Sequence, residues 1–232
     1  MTFQPAEPPT MMVGLSGPNT IAGRIYERMR EMILRAEIMP GEKLLPAQLA
    51  QTFGVSATPI REALRLLEQA NLVEIMPHRG AIVRPTLTAK QVDDLYTVRL
   101  VMEQLAMRSA SFSSSRREWG ELEEAVENYG RAIAKDDFEN ALLWDLRFHR
   151  LLIQASGNQV LEEIFARLEN QIQILRRLDR GMTRRQSSVK DHRLIVKALK
   201  RGDYDAAQAA LERHILNGRE HVLNVLGKLP GS

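Results

Sequence analysis

Two side chains with complementary chemistry stand four residues apart in the run WDLRFHRLL, Asp145 and His149. Phe138, Leu142 and Leu152 recur around them at helical spacing, so the acid and the imidazole fall on the face that the helix buries. Two other segments show the same intrusion. Val189, His192, Ile195, Val196 and Leu199 form one apolar stripe, and Ala207, Ala210, Leu211, His214 and Ile215 form another. A buried carboxylate or imidazolium without partners is expensive, so each intrusion requires compensation. One divalent ion compensates all four. Asp145 and His149, one turn apart, would supply two ligands from one helix, and His192 and His214 would close over them from two others. Neutral imidazoles with a carboxylate suit zinc, nickel, manganese or iron. Any one of these histidines alone has an ordinary reading as a hydrogen-bonded core residue. It is the set of four on separate inward faces that points to a metal.

Arg99 is a further polar intruder, set among Leu95, Met102 and Ala106. Its guanidinium suits a bidentate clamp on a carboxylate, and equally a structural salt bridge to an acid on a neighbouring helix. A metal that accepts more than four ligands leaves open places. A small organic acid could fill them while Arg99 holds its other end.

These residues need a scaffold, and the chain has the length for two domains. Its 232 residues, 44% hydrophobic and 26% charged, have a globular composition. No uninterrupted apolar run is long enough for a membrane span. Residues 1–19 lack the basic start and apolar stretch of a signal peptide and are expected to form a disordered arm. With no cysteine there is neither a disulfide framework nor a thiolate metal site, and a cytoplasmic location is expected. The net charge of +3 does not announce a nucleic-acid partner by itself.

Residues 20–85 read as one domain. An amphipathic helix starts near Thr20, with Ile21, Ile25, Met29, Met32 and Ile33 at helical spacing, and closes at MPGEKL. PAQLAQTF is a short second helix ending at Gly54. After the turn GVSATP, where Ser56 or Thr58 can cap, IREALRLLEQANL is a third. It turns Ile60, Ala63, Leu64 and Leu67 inward and Arg61 and Arg65 outward. LVEIMPHRGAIVRP then alternates about a Pro-His-Arg-Gly turn, as a β-hairpin does. Three helices and a hairpin make a winged helix-turn-helix, whose third helix would enter a DNA major groove while the wing reaches phosphates or the minor groove. The run LAQTFGVSATPIREALRLLEQANLVEIMPHRGAIV resembles the DNA-binding domain of GntR-family transcription regulators. That resemblance implies double-stranded operator DNA as partner, met by Ser56, Thr58, Arg61 and Arg65 from the third helix and by His78, Arg79 and Gly80 from the wing. Hydroxyl and guanidinium groups suit phosphates and guanine, and glycine allows close backbone approach. Ala57 stands where the family commonly has a basic residue, which implies an altered base readout.

Residues 86–232 are expected to be helical throughout, over 88–111, 116–134, 137–155, 158–179, 187–200 and 203–226. That is an all-α antiparallel bundle of about six helices, so the chain as a whole is mainly α. LYTVRLVMEQLA, DLRFHRLLIQASGN and DHRLIVKALKRGDYDAAQAALERHI resemble the FCD effector-binding domain of FadR-type GntR regulators. In metal-binding members the corresponding ligands would be Asp145, His149, His192 and His214. The resemblance further implies a homodimer. A small carboxylate bound at the metal is expected to control operator affinity, with relief of repression the more usual sense. His221 lies outside the ligand set, exposed or behind it. Two alternatives share the four ligands: a metal-dependent hydrolase or lyase, in which the ion activates water, and a regulator in which the metal is only a structural clamp. Neither an independent general base nor a nucleophile stands beside the ligands in sequence, and the expected answer is that the protein is not an enzyme.

Overall fold

A computed structural model of the chain describes residues 20–35, 37–77, 79–85, 87–109, 116–178 and 183–227. The expected amino-terminal arm and His78 lie outside them. The chain divides into two compact units between Arg84 and Pro85.

In the first unit, α1 (Ile21–Leu34) is capped by Thr20, whose hydroxyl accepts from the Gly23 amide at 3.0 Å. α2 (Pro46–Phe53) opens on proline, whose missing N–H is no loss at that position, and closes on Gly54 in the left-handed region at φ 65°. α3 (Ala57–Gln69) starts three residues earlier than its apolar spacing indicates. Ser56 occupies the capping position but its side chain makes no capping hydrogen bond, and Thr58 lies within the first turn. Pro59 is tolerated there because the first amides of a helix have no intrahelical partner. The helix also ends at Gln69, before Asn71 turns to φ 59°. α1 buries Ile25, Met29 and Ile33, α3 buries Ile60, Ala63, Leu64 and Leu67, and the two pack together. The expected hairpin is β2 (Val73–Met76) and β3 (Gly80–Val83), with Met76 opposite Gly80. A third strand, β1 (Lys43–Leu44), adds to the other side of β3. Two residues are too few to show an alternating pattern, so this strand was invisible in the sequence.

The second unit holds α4 (Ala89–Ser109), α5 (Arg116–Ala134), α6 (Phe138–Gln154), α7 (Gln159–Leu178), α8 (Thr183–Lys200) and α9 (Tyr204–Leu226). α6 and α9 begin on Asp137 and Asp203, whose carboxylates accept from the Asn140 and Ala206 amides. α8 begins four residues before its expected start at 187. Arg184, Arg185 and Gln186 are good helix formers, and they extend the helix back beyond its apolar stripe. α6 lies between α5 and α7, α9 lies against α4 and α8, and the shared core is built from Leu122, Phe148, Leu152, Ile172, Ile195 and Leu211.

Gly80 is where the small sheet constrains its sequence. Its φ is +85°, and a Cβ built there would lie 2.4 Å from the Leu44 carbonyl oxygen in β1. The close approach is therefore to the protein's own backbone, and it excludes any side chain. A Gly80→Ala variant should lose about 1–3 kcal/mol of stability from the first unit. Chemical denaturation followed by circular dichroism would read it; an unchanged midpoint would refute this account of the wing.

Candidate metal centre

Helix registers fixed by apolar packing bring the polar intruders together. Asp145 and His149 project from α6, His192 from α8 and His214 from α9, and one ligand atom from each lies within 4.8 Å of the others. All four side chains are buried. Nε2 of His214 stands 3.1 Å from Nε2 of His149 and 3.2 Å from Nε2 of His192. Oδ1 of Asp145 lies 3.7 Å from Nε2 of His192 and has no hydrogen-bond partner among the described residues.

The donor set fits a transition-metal ion on two counts. Nitrogens bound at roughly 2.05 Å to one ion stand roughly 2.9 Å apart across a right angle and roughly 3.3 Å across a tetrahedral one; the separations of 3.1 and 3.2 Å fall in that interval. An unpartnered buried carboxylate oxygen is also rare in native proteins unless something charged belongs beside it.

Three of the four ligands are held from behind, each in a different way. Nδ1 of His149 lies 2.6 Å from Oε2 of Glu103, which is wholly buried on α4. Burial opposes the Glu103 charge, but His149 and Arg99 outweigh it and hold its carboxyl below the usual range. An ionised carboxylate only accepts, so Nδ1 carries a proton, which in a neutral ring leaves the Nε2 lone pair for a metal. Arg99 donates through Nε to the other oxygen of Glu103 at 2.7 Å. The Asp145 carboxylate accepts from Nη2 of Arg176, on α7, at 2.9 Å. Burial works against its charge too, yet Arg176 and the imidazoles of His149 and His192 keep its pKa well below the usual range. His192 stacks on Phe148, with ring centroids 4.0 Å apart and planes 18° apart. Nδ1 of His192 and Nδ1 of His214 have no hydrogen-bond partner among the described residues, so a carboxylate stands behind His149 only. Burial first, and then the neighbouring imidazoles, push the pKa of His192 and His214 well below the ordinary histidine value. Both are neutral near pH 7, the state a metal requires.

Three of these residues escaped the sequence reading. Glu103 had a signal, four residues after Arg99 on the same buried stripe. Arg176 belongs to an Arg-Arg pair that resembles a solvated helix end, and Phe148 looks like ordinary core. Arg99 is buried, and its acid comes from its own helix, not from a neighbouring one. His221 is half-buried, outside the cluster.

In the first unit Ser56, Thr58, Arg61, Arg65 and Arg79 are exposed, and Gly80 sits at the start of β3. Arg61, Arg65 and Arg79 pair with no acid among the described residues. Ala57 is the first residue of α3.

A winged helix-turn-helix joined to an all-helical bundle with a ligand-bearing centre is the plan of a two-part DNA-binding regulator. Residues 21–83 match the gntR family of bacterial regulatory proteins, and residues 94–217 match the FCD domain. The HTH-type transcriptional regulator YdhC of Bacillus subtilis is 31% identical over 214 residues, covering 91% of this chain and 95% of that protein. The HTH-type transcriptional repressor RspR of Escherichia coli K12 is 25% identical over 217 residues, covering 93% and 95%. The structure of a GntR transcriptional regulator from Rhodococcus sp. RHA1 has the same fold, with a TM-score of 0.75 at 22% identity over 90% of this chain and 98% of that one. The chain belongs to the GntR family and is a DNA-binding transcription regulator carrying an FCD domain. Family and relatives are regulators, not enzymes, and the hydrolase or lyase alternative is set aside on that ground.

Two outcomes are expected. Glu103→Gln should weaken zinc binding by roughly 10–100-fold in a chelator competition, since the amide cannot fix the His149 tautomer as a carboxylate does; wild-type affinity would show that Glu103 has no such role. The second concerns pH. His192 and His214 have folded-state pKa values below the unfolded one, so the unfolded chain takes up protons first as pH falls through about 6.5. Stability present above that value is lost below it. The melting midpoint of the metal-free protein should therefore drop between about pH 7 and about pH 5, and a flat profile would contradict the neutral state of the two imidazoles.

Proposed function

We propose that the regulator, acting as a homodimer, binds an operator through α3 and the wing, and that a small carboxylate bound at a metal in the carboxy-terminal bundle controls this affinity. The observation that carries the reading is the convergence of four buried ligand atoms within 4.8 Å at the bundle's centre. Asp145, His149, His192 and His214 would hold a zinc, nickel, manganese or iron ion. When bound, the ion supplies a Lewis acid with coordination places left for an anion.

Charge favours an anionic effector. Asp145 and Glu103 are balanced by Arg99 and Arg176, so with neutral imidazoles the site's side chains sum to zero. A dication then leaves excess positive charge in a buried place, and a carboxylate compensates it. Arg99 is our candidate for its far end.

On the DNA side, Ser56 and Thr58 would donate to phosphates, Arg61 and Arg65 would reach phosphates or guanine, and His78, Arg79 and Gly80 would bring the wing to the backbone. Repression relieved by the effector is the favoured sense, in keeping with the repressor RspR among its relatives. Among the described residues no helix is long and apolar enough to cross a membrane, which agrees with a cytoplasmic regulator.

The test starts from operator DNA selected in vitro from a random pool. Zinc-loaded protein should release that DNA when small mono- or dicarboxylates are added, and His214→Ala or chelated protein should bind DNA yet no longer respond. Arg61→Ala should cost about 1–3 kcal/mol of operator affinity. Unfolding of the bundle on chelation, with no carboxylate response at any metal loading, would leave the ion a structural clamp and defeat the sensor reading.

A further inference from the structure

Two of the four ligands lack the hydrogen-bonded backing of the others. Glu103 holds His149 and Arg176 holds Asp145, but Nδ1 of His192 and Nδ1 of His214 meet no hydrogen-bond partner among the described residues. Their Nε2 atoms nevertheless face each other at 3.2 Å.

A contact that fixes this spacing lies one residue away on each helix. Asp191 precedes His192 on α8, and Arg213 precedes His214 on α9. Arg213 donates twice to Oδ1 of Asp191, through Nε at 3.1 Å and through Nη2 at 2.8 Å. Neighbours on a helix point about 100° apart. Each helix therefore turns one of its two side chains to the metal centre and the other to the flank of the helix opposite. Both contacts join positions 22 apart, so they cross between α8 and α9 at one level. One contact alone would leave two packed helices free to roll about it. Two at the same level, one inside and one outside, fix the roll and the separation together.

The outer contact is costly to open. The Asp191 side chain is 8% exposed and that of Arg213 is 49% exposed. A buried carboxylate released by its guanidinium finds little water to replace it. Hydrogen bonds between charged groups are also roughly twice as strong as neutral ones. The metal needs this rigidity, because ligand atoms must stand within roughly 0.2 Å of their ideal distance from an ion. Nε2 lies at the far end of its side chain, and a roll of a few degrees in α9 moves it by that much.

We infer that Asp191 and Arg213 form a clasp that sets the bite of His192 and His214 on the ion. Both are positioning residues, since neither supplies a ligand atom. The inference rests on the metal centre of the proposed function and adds the pair that tunes it.

Zinc affinity of the full-length protein, measured by chelator competition, tests the clasp together with the visible spectrum of the cobalt-loaded protein, whose bands report ligand geometry. Asp191→Asn and Arg213→Gln remove one charge each. Each should weaken zinc binding by roughly tenfold and shift the cobalt bands. The double variant should bind no more weakly than either single, because either change already opens the clasp. Arg213→Lys keeps the charge but donates from one nitrogen. It should fall between wild type and Arg213→Gln, and it carries the test if a neutral variant does not fold. A pair with a structural role only would lower the melting midpoint of the metal-free protein and leave zinc affinity and cobalt spectrum at wild-type values. That result, or single losses that multiply in the double variant, would overturn the clasp while leaving the metal centre. Wild-type protein that binds neither ion would overturn the centre as well.

Discussion

The fold of the second unit is organised around an electrostatic problem. A carboxylate and three imidazoles are buried within 4.8 Å of one another, where none of them can be solvated. Such a cluster is tolerable only when every charge is answered and the neutral donors stay neutral. Arg176 answers Asp145, Arg99 answers Glu103, and burial keeps His192 and His214 unprotonated. The three Nε2 atoms, 3.1 and 3.2 Å apart, meet only one another, Oδ1 of Asp145 has no partner among the described residues, and an ion is the group whose chemistry fits them all.

The same cluster draws on the whole bundle. α6, α8 and α9 carry the ligands, α4 carries Glu103 and Arg99, and α7 carries Arg176. α5 sets the Tyr129 ring 5.3 Å from that of His192. A site on the rim of a bundle can change occupancy while most helices stay put. Here any change in what Asp145 or the imidazoles bind alters a contact on several helices at once. That is a property a sensor requires, because a ligand shifts a conformational equilibrium only through contacts that differ between the two states.

Much of this was legible from spacing. Asp145 with His149, and His192 and His214 among aliphatics, were visible because helical periodicity assigns each residue a face, and a polar residue on the wrong face stands out. Element boundaries were less legible. The starts of α3 and α8 were set late because the apolar spacing begins only at Ile60 and Val189, while the first turns of both helices are largely polar. β1 was too short for a pattern. What the sequence could not show was pairing across helices: nothing in the RRL run marks Arg176 as the partner of Asp145, thirty-one positions away. Gly80 carries a constraint that spacing did not show: a Cβ there would run into the Leu44 carbonyl of β1.

Arg99 admits two roles in the sequence, a clamp on an effector or a structural ion pair; the structure shows the ion pair, made through Nε alone. Glu103 takes Nε, and the described residues form no hydrogen bond to either Nη group. A guanidinium has five N–H donors in a rigid plane, so a carboxylate gripped by the Nη groups, as proposed, would tilt the plane that Nε shares with Glu103. Glu103 in turn holds Nδ1 of His149 at 2.6 Å, and the opposite nitrogen of that ring is one of the converging ligand atoms. The proposed anion at Arg99 would thereby be linked to the orientation of His149 through two short hydrogen bonds. Effector and metal would then sense each other reciprocally, each raising or lowering the affinity of the other by the same factor.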